Sequence, residues 1–564
     1  MASLTPLAKG LITIVILAGA GAAAWHLGGK EMLRGLQEGA STAGSATDAG
    51  SATSSTPQSG TGLFGGKRKA EGPLGSQDNP LKVSLVSFHG YAPAILANGK
   101  SLTTQPGSLF ERSGVYVDFI IQDDIPTLTS IFESGTAQCA WRTSDFWAQE
   151  QPNLRNTKLD ARAVLVVDNT QGGDAIIARD PAIRSVEDLA DRSVALLQYT
   201  PSHGLAIDAI DSSSLTARKK SSVKFVFVNV DEGTSGVRAT LESGNVDAAA
   251  LWDPDLALAL KNVPGAHVVY STKTATNLIY DVMVCDKRAL DDAANTQAFQ
   301  AFVTGWLQGV DAARKAPDDA VDALIKTEEF FALLAKDQGR DFIKSLFSNL
   351  VWTNLEDNAR ILGRAGGTNQ YERVYRRFDE IYRQAGALAN PASPVINPQD
   401  SFDYRFIDAL LAKNQEVKQA AAKPEFTFSA SERQEATRKP ATVTKPVIVS
   451  FTSGSAALNK RGEKTVDTDM VPLIENNGSA YFTVSGNTDS TGARDANLKL
   501  SLARAQAVVD YLVSQWDFDR ARFQVAGNGP DNPLCQERNA SAEGMSLEDC
   551  RALNRTTRVA VQAR

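Results

Sequence analysis

The sequence predicts an α/β protein of two globular modules behind an apolar N-terminal segment. Three observations carry this. Between residues 80 and 420, short β-rich runs alternate with helical stretches, the pattern of an α/β fold. Two polar stretches, 31–79 and 421–444, break the chain into units. From residue 445 the pattern restarts with a strand-like run and continues as strand, helix, strand to residue 564.

Bulk properties bound the reading. A chain of 564 residues has room for about three units, and 43% hydrophobic residues supply real cores. The net charge of −7 argues against a nucleic-acid partner, which needs a basic face. Cys139 and Cys285 sit in the apolar contexts SGTAQCAW and DVMVCDK, while Cys535 and Cys550 lie in a polar, loop-like stretch. There is no CxxC and there are four histidines, so zinc and thioredoxin-like readings are weak. After export, a Cys535–Cys550 bridge would close a loop of about 15 residues and contribute ~3 kcal/mol; the alternative is two unrelated thiols.

Residues 1–30 contain the uncharged run LITIVILAGAGAAAWHL, from Leu11 to Leu27, flanked by Lys9, Lys30 and Arg34. A membrane-spanning helix needs ~17–25 residues, so this run is at the short end. It reads either as an uncleaved transmembrane anchor, with Trp25 at the interface, or as a signal peptide with small residues Ala22 to Ala24 at the cleavage site. Basic residues on both sides leave the orientation rule undecided, and the absence of a following cysteine argues against a lipid anchor. Either way the rest of the chain is exported. The anchor reading makes the protein a single-pass inner-membrane protein with its bulk in the periplasm.

Residues 31–79 run EGASTAGSATDAGSATSSTPQSGTG and onward, with too few apolar groups to offset ordering entropy, so they read as a disordered linker. Some 40 flexible residues reach ~35 Å. Lys67, Arg68 and Lys69 read as solvated, with lipid headgroups the alternative. Within 80–420, LKVSLVSF, VYVDFIIQ, AVLVVD, SVALLQY, KFVFVNV and DAAALW read as strands and PTLTSIFES and VRATLESG as helices. Thr296 to Gln415 is mostly helical, as in FQAFVTGWLQGVDAAR and YERVYRRFDEIYRQ. Residues 421–444, with Pro424 and Pro440, read as a second linker, and PVIVSF opens the last unit, 445–564.

That unit carries the most specific pattern. Residues 484–508 read VSGNTDSTGARDANLKLSLARAQAV. With Gly486, Thr488, Asp489, Gly492, Asn497, Leu500, Ser501, Arg504 and Ala505 in place, the stretch resembles the OmpA-like peptidoglycan-binding domain, found also in MotB and Pal. The resemblance implies that Asp489 takes the amine and Arg504 the carboxylate of diaminopimelate, with Thr488, Gly492 and Asn497 shaping the loop. The chemistry agrees: a zwitterion needs one anion and one cation, and Arg offers a forked grip on a carboxylate. The bland alternative makes Asp489 a turn residue and Arg504 a surface helix residue in a salt bridge. Asn487 replaces the usual histidine, and NRTTR (Asn554 to Arg558) stands where the family often has N-R-R-V. Some such domains carry a disulfide where Cys535 and Cys550 lie.

FHGYAPAILA, VVDNTQGGDAIIARDPAIRSVEDLADRSVAL, YTPSHGL and LESGNVDAAALWDPDLALA occur in that order within 80–420. Together they resemble type II periplasmic solute-binding proteins of the nitrate, taurine and thiamine-precursor branch. The resemblance implies two α/β lobes with a ligand between them, at carboxyl ends of strands and N-termini of helices. The candidate cleft residues are Tyr91 after the first strand, Trp141, Arg142 and Ser144 in a loop running to Asp145, Thr200 and Ser202 at a helix start, and Trp252 and Asp253. Arg142 would be the counter-charge to a small anionic solute, and the two tryptophans would stack or close the cleft. Against this, Trp252 has a hinge-packing role, His203 a capping role, and Arg142 a local pair with Asp145 as alternatives. No nucleophile–base pair, metal cluster or phosphate loop is present, so neither an enzyme nor a cofactor is expected.

The expected partners are peptidoglycan, the inner membrane, a small solute and a membrane protein beside the anchor. Two other functions compete: a wall-to-membrane tether with a vestigial binding domain, and a stator-like subunit. The latter suffers because Leu11 to Leu27 contains no acid.

Overall fold

A computed structural model describes residues 72–564 except 158, 230–232, 385, 387, 389 and 453–454. The anchor at 1–30 and the linker up to residue 71 therefore lie outside the described residues. Among those described, no helix is long and apolar enough to cross a membrane.

Order begins before residue 80. Leu74 packs on the core, and Gly75 O accepts the Tyr116 amide at 2.7 Å. A segment with paired backbone and an anchored apolar side chain is part of the domain, not of the linker.

The first lobe is built on a six-stranded sheet. Its strands are β1 (Leu81–Leu85), β2 (Val117–Ile121), β3 (Cys139–Thr143), β4 (Ala161–Thr170), β10 (Tyr280–Asp286) and β11 (Leu350–Trp352), in the order β11-β4-β10-β3-β1-β2. The second lobe has β5 (Asp174–Ala178), β6 (Ser193–Leu197), β7 (Lys224–Val228), β8 (Ala248–Trp252) and β9 (His267–Ser271), in the order β7-β6-β8-β5-β9. The sheets are mixed rather than parallel. Strands β1, β2 and β3 run parallel, and so do β6, β7 and β8. In the first sheet β10 and β11 run against this parallel core, while β4, antiparallel to β10, runs with it; in the second β5 runs against the core and β9 with it. The chain crosses between lobes at 171–173 and returns at 272–279, and the strand that follows each crossing, β5 or β10, enters its sheet against the parallel core.

Cys139 and Cys285, left unpaired in the sequence reading, face each other in the β3–β10 register and are disulfide-bonded. Their neighbours are apolar because both strands are buried in the core. Cys535 and Cys550 form the second bond.

The last domain is a four-stranded sheet, β12 (Val443–Val447), β13 (Tyr481–Asn487), β14 (Phe523–Gly529) and β15 (Thr557–Gln562), in the order β12-β15-β13-β14. Strands β13 and β14 are parallel and are joined through helix Arg494–Trp516, a βαβ unit. Pro446 is tolerated because β12 is an edge strand. The segment 421–444 is not a free linker. It holds helix Ala430–Ala436, capped by Ser429 Oγ, with Glu432 accepting from Tyr481 Oη at 2.9 Å and Arg433 donating to Ala521 O at 3.2 Å.

This domain is docked on the two lobes. Arg373, on helix Gln370–Gln384, pairs with Glu475 at 3.0 Å, with both side chains largely buried. Asn277, in the returning crossing, donates its amide to Asn476 O at 2.9 Å and its side chain to Glu475 O at 2.8 Å. On the second lobe, Glu187 accepts the Thr444 amide at 3.0 Å.

Candidate functional site

Two sites follow from this architecture. In the C-terminal domain, helix Arg494–Trp516 lies directly on β13 and β14. A Cβ at Gly486 would collide with the Ser501 carbonyl, and one at Gly527 with the Leu502 backbone. Ser501 Oγ accepts the Gly529 amide at 3.0 Å, locking helix to strand end. A register shift between Gly486 and Asn487 then turns the chain into the Thr488–Asp489 loop. Thr488 donates its amide to Gly529 O at 2.9 Å. Gly492 adopts φ +95°, a glycine conformation, and Asn497 Nδ2 holds Thr491 O at 2.9 Å. Asn487 bridges internally, donating to Thr556 O at 3.1 Å and accepting from Asn528 at 3.1 Å.

Asp489 is not a bare anion. Its Oδ1 accepts the Thr491 amide at 3.0 Å, and its Oδ2 accepts from Arg555 Nη1 at 2.7 Å. Arg555 also reaches Glu548 at 2.6 Å. The sequence marked Arg555 only as a motif match; its position comes from Asn554, which accepts the Leu534 and Cys535 amides at 2.9 and 3.1 Å beside the Cys535–Cys550 bond. Arg504 is the contrasting group. Its guanidinium lies 4.8 Å from the Phe451 ring centroid and its Nε points to Ser455 O at 3.5 Å. Among the described residues no carboxylate pairs with it, and burial pulls its pKa below the usual arginine value.

The second site is a cavity of about 940 Å³ between the lobes. It opens at the carboxyl ends of β1, β2, β6 and β8, the place the strand topology favours for a ligand. Thr200 and Trp252 line it, as do Asp123, Asp124, Tyr199 and Phe330, which the sequence reading missed. A small recess behind it is lined by Trp141, Thr143, Thr170, Asp174 and Asp281; Val86 and Trp252 border both.

The remaining candidates play supporting parts. Trp141, Arg142 and Thr143 belong to strand β3, and Ser144 opens helix Ser144–Asn156, so the expected loop is a strand–helix junction. Tyr91 Oη and Trp141 Nε1 both donate to Asp281 Oδ2, at 2.9 and 3.0 Å. Ser144 Oγ accepts the Tyr280 amide at 3.2 Å. Arg142 is fully buried; Nη2 donates to Glu150 at 2.7 Å and Nη1 to Trp141 O at 2.6 Å. It is therefore spent on Glu150, one helix turn pair away, and neither offers a counter-charge nor pairs with Asp145. Asp253 is buried between the Asn349 side chain at 2.7 Å and the Ala257 amide at 3.1 Å, and burial pushes its pKa up to about 7. Ser202 is buried with no hydrogen-bond partner for its hydroxyl among the described residues. His203 Nδ1 accepts the Tyr199 amide at 3.2 Å, the capping role. Below the cleft, burial raises the carboxyl pKa of Asp145 to about 6 and drives those of Asp168 and Asp174 well above the carboxylate range. Among the described lining residues of this cavity there is no Lys, Arg or His.

Comparison with known proteins separates the two parts. Residues 450–545 match the OmpA family. Over 99 residues the chain is 37% identical to the probable lipoprotein YiaD of Escherichia coli, covering 18% of this chain and 43% of YiaD. Over 95 residues it is 41% identical to outer membrane porin F of Pseudomonas aeruginosa, covering 17% of this chain and 25% of the porin. The chain thus spans less than half the length of either relative. Among solved structures, the periplasmic aliphatic sulphonate binding protein SsuA from Escherichia coli aligns at a TM-score of 0.43 and 15% identity, over 57% of this chain and 92% of SsuA. The alkanesulfonate-binding SsuA from Xanthomonas axonopodis pv. citri bound to MOPS aligns at 0.42 and 16%, over 56% and 96%.

Proposed function

We propose that this chain is a cell-envelope protein whose OmpA-type domain holds peptidoglycan non-covalently while its two-lobed domain presents a cleft to a small solute. The observation that carries the wall-binding half is Arg504: at the motif position for a carboxylate grip, it is a half-buried cation that no acid neutralises among the described residues. A carboxylate-bearing stem peptide fits that unmet charge, and Asp489, paired with Arg555, supplies the anion of the same sequence motif. The relatives' names, a lipoprotein and an outer membrane porin, agree with an envelope location. The apolar run Leu11 to Leu27 supports an inner-membrane anchor, which would place both domains in the periplasm. The cleft half rests on the cavity at the carboxyl ends of the strands. The role is binding, not catalysis.

The test is co-sedimentation of the full chain with purified sacculi. Wild-type protein should pellet and release with free diaminopimelate-containing peptide, and R504A should stay in the supernatant. Equal pelleting of R504A would overturn the wall-binding reading.

A further inference from the structure

We propose that the interlobe cavity takes an organic cation, a small ammonium or amidinium group on an apolar body, because uncompensated carboxylates and exposed aromatic rings share its wall. This rests on the solute-binding reading of the cleft and names the class of solute.

Asp123, Asp124, Glu133, Glu150 and Asp255 line the cavity, with no basic residue among the described lining. Two of them are already balanced: Glu150 by Arg142, and Asp255 by Arg238 at 2.8 Å. The other three make no ion pair among the described residues. Asp123 Oδ1 accepts only the Ser87 amide, at 2.6 Å, and Asp124 Oδ2 only the Thr127 amide, at 2.8 Å. Each keeps a second oxygen for a ligand. Glu133 is exposed at the far end of the same helix, Ile125–Glu133.

The opposing consideration is that four helices begin at the cavity, Ile125–Glu133, Pro201–Asp211, Gly233–Glu242 and Asp255–Asn262, and helix N-termini favour anions. The N-terminus of Ile125–Glu133 is capped by Asp124 itself, so its partial positive charge is already answered. Helix Asp255–Asn262 carries Asp255 in its own first turn, which leaves the starts of Pro201–Asp211 and Gly233–Glu242 as about two half-charges against three whole ones. The sum favours a cation.

The apolar part of the wall sets the rest of the ligand. Tyr199 and Phe330 are unusually exposed for large apolar side chains, at 37% and 38%, and Trp252 borders both cavity and recess. Aromatic faces accept cations and flat apolar bodies alike. The recess adds a separate observation. The Thr143 and Thr170 hydroxyls line it, nine-tenths or more buried, and each answers a buried carboxyl, Asp145 and Asp174 respectively. Asp174 and Asp281 line it beside them. At about 20 Å³ the recess has room for little more than one water-sized group, so it is a polar floor to the cleft rather than a seat for the ligand body. An N–H donor of an ammonium or amidinium can bond the open carboxylate oxygens of Asp123 and Asp124; a sulfonate or nitrate has no donor to offer them.

The experiment is a thermal-shift and calorimetric series on the full chain with three probes of one shape: benzylammonium, benzyl alcohol and benzenesulfonate, with choline and nitrate as smaller cation and anion. Stabilisation that grows with concentration for benzylammonium or choline, and not for the anions, is the expected result. Neutralising Asp123→Asn or Glu133→Gln should then weaken the cation by roughly several-fold each, and more at low salt. Binding of benzenesulfonate or nitrate in preference to the cations would overturn the charge assignment while leaving the receptor reading intact. No response to any probe would overturn both. A cation response unchanged in D123N and E133Q would also sink the assignment to this wall.

Discussion

Arg555 Nη1 donates to Asp489 Oδ2 at 2.7 Å, so the anion of the wall-binding motif is held by a cation of its own domain. Arg504 has no such partner. The two motif charges are thus unequal: one is preset in a pair, the other waits for a ligand.

The mutational signature follows. Arg504→Ala should weaken sacculus binding by about 10-fold or more, the scale of a lost charge-assisted hydrogen bond. Arg504→Lys should rescue only part, because an ammonium lacks the fork. Arg555→Ala should bind more weakly than wild type yet better than R504A, at a stability cost of about 1 kcal/mol or less, since Arg555 is 39% exposed. Co-sedimentation isotherms and urea unfolding of the same proteins check the order.

Arg142 is expected to behave as a structural residue. Removing it strands Glu150 as a buried unpaired charge, so Arg142→Ala should destabilise the chain by about 3–5 kcal/mol, while the double variant R142M/E150L recovers most of that. Denaturant midpoints decide it; a ligand-binding defect at unchanged stability would contradict the pairing.

Stability should fall as pH rises from 5 to 8. Burial lifts the carboxyl pKa of Asp145 to about 6, of Asp253 to about 7 and of Glu328 to about 8. Each folded value exceeds the unfolded one near 4, so the folded state holds the extra proton. That contribution is complete below pH 4 and is lost as pH passes through 6 to 8. Glu328→Gln, which keeps shape and removes the titration, should flatten the upper part of a melting-temperature profile.

Reducing the Cys139–Cys285 bond should cost about 2–5 kcal/mol. It closes a loop that contains all five strands of the second lobe, so C139A/C285A should loosen that lobe first, read by amide exchange. In contrast, C535A/C550A should weaken sacculus binding and leave exchange in the lobes unchanged, because that bond supports only the Asn554–Arg555 corner.

What the sequence disclosed depended on range. The wall motif was legible because Gly486, Asp489, Ser501 and Arg504 belong to one local strand–turn–helix unit, whose spacing is its geometry. Helix starts and strand ends around the cleft were legible for the same reason, as with Thr200 and Trp252. The run CAWRT read as a loop because a fully buried strand has no polar alternation. The partner of Arg142 was missed because Glu150 looks like an ordinary helix acid until the helix is packed. The Cys139–Cys285 pair spans 146 residues and appears only when β10 returns beside β3. The acidity of the cavity was in the sequence as scattered residues, with nothing local to say they share a wall.

The docking contacts have a mechanical consequence. Glu475 and Asn476 grip Arg373, on a helix that also reaches Asp208 of the second lobe through Arg377, and they grip Asn277 in the returning crossing itself. Load on the C-terminal domain would therefore reach the hinge as well as the second lobe, to which Glu187 ties Thr444. A hinge rotation must carry the C-terminal domain with it or break these contacts, so the angle of the cleft and the orientation of that domain are coupled for as long as the contacts hold.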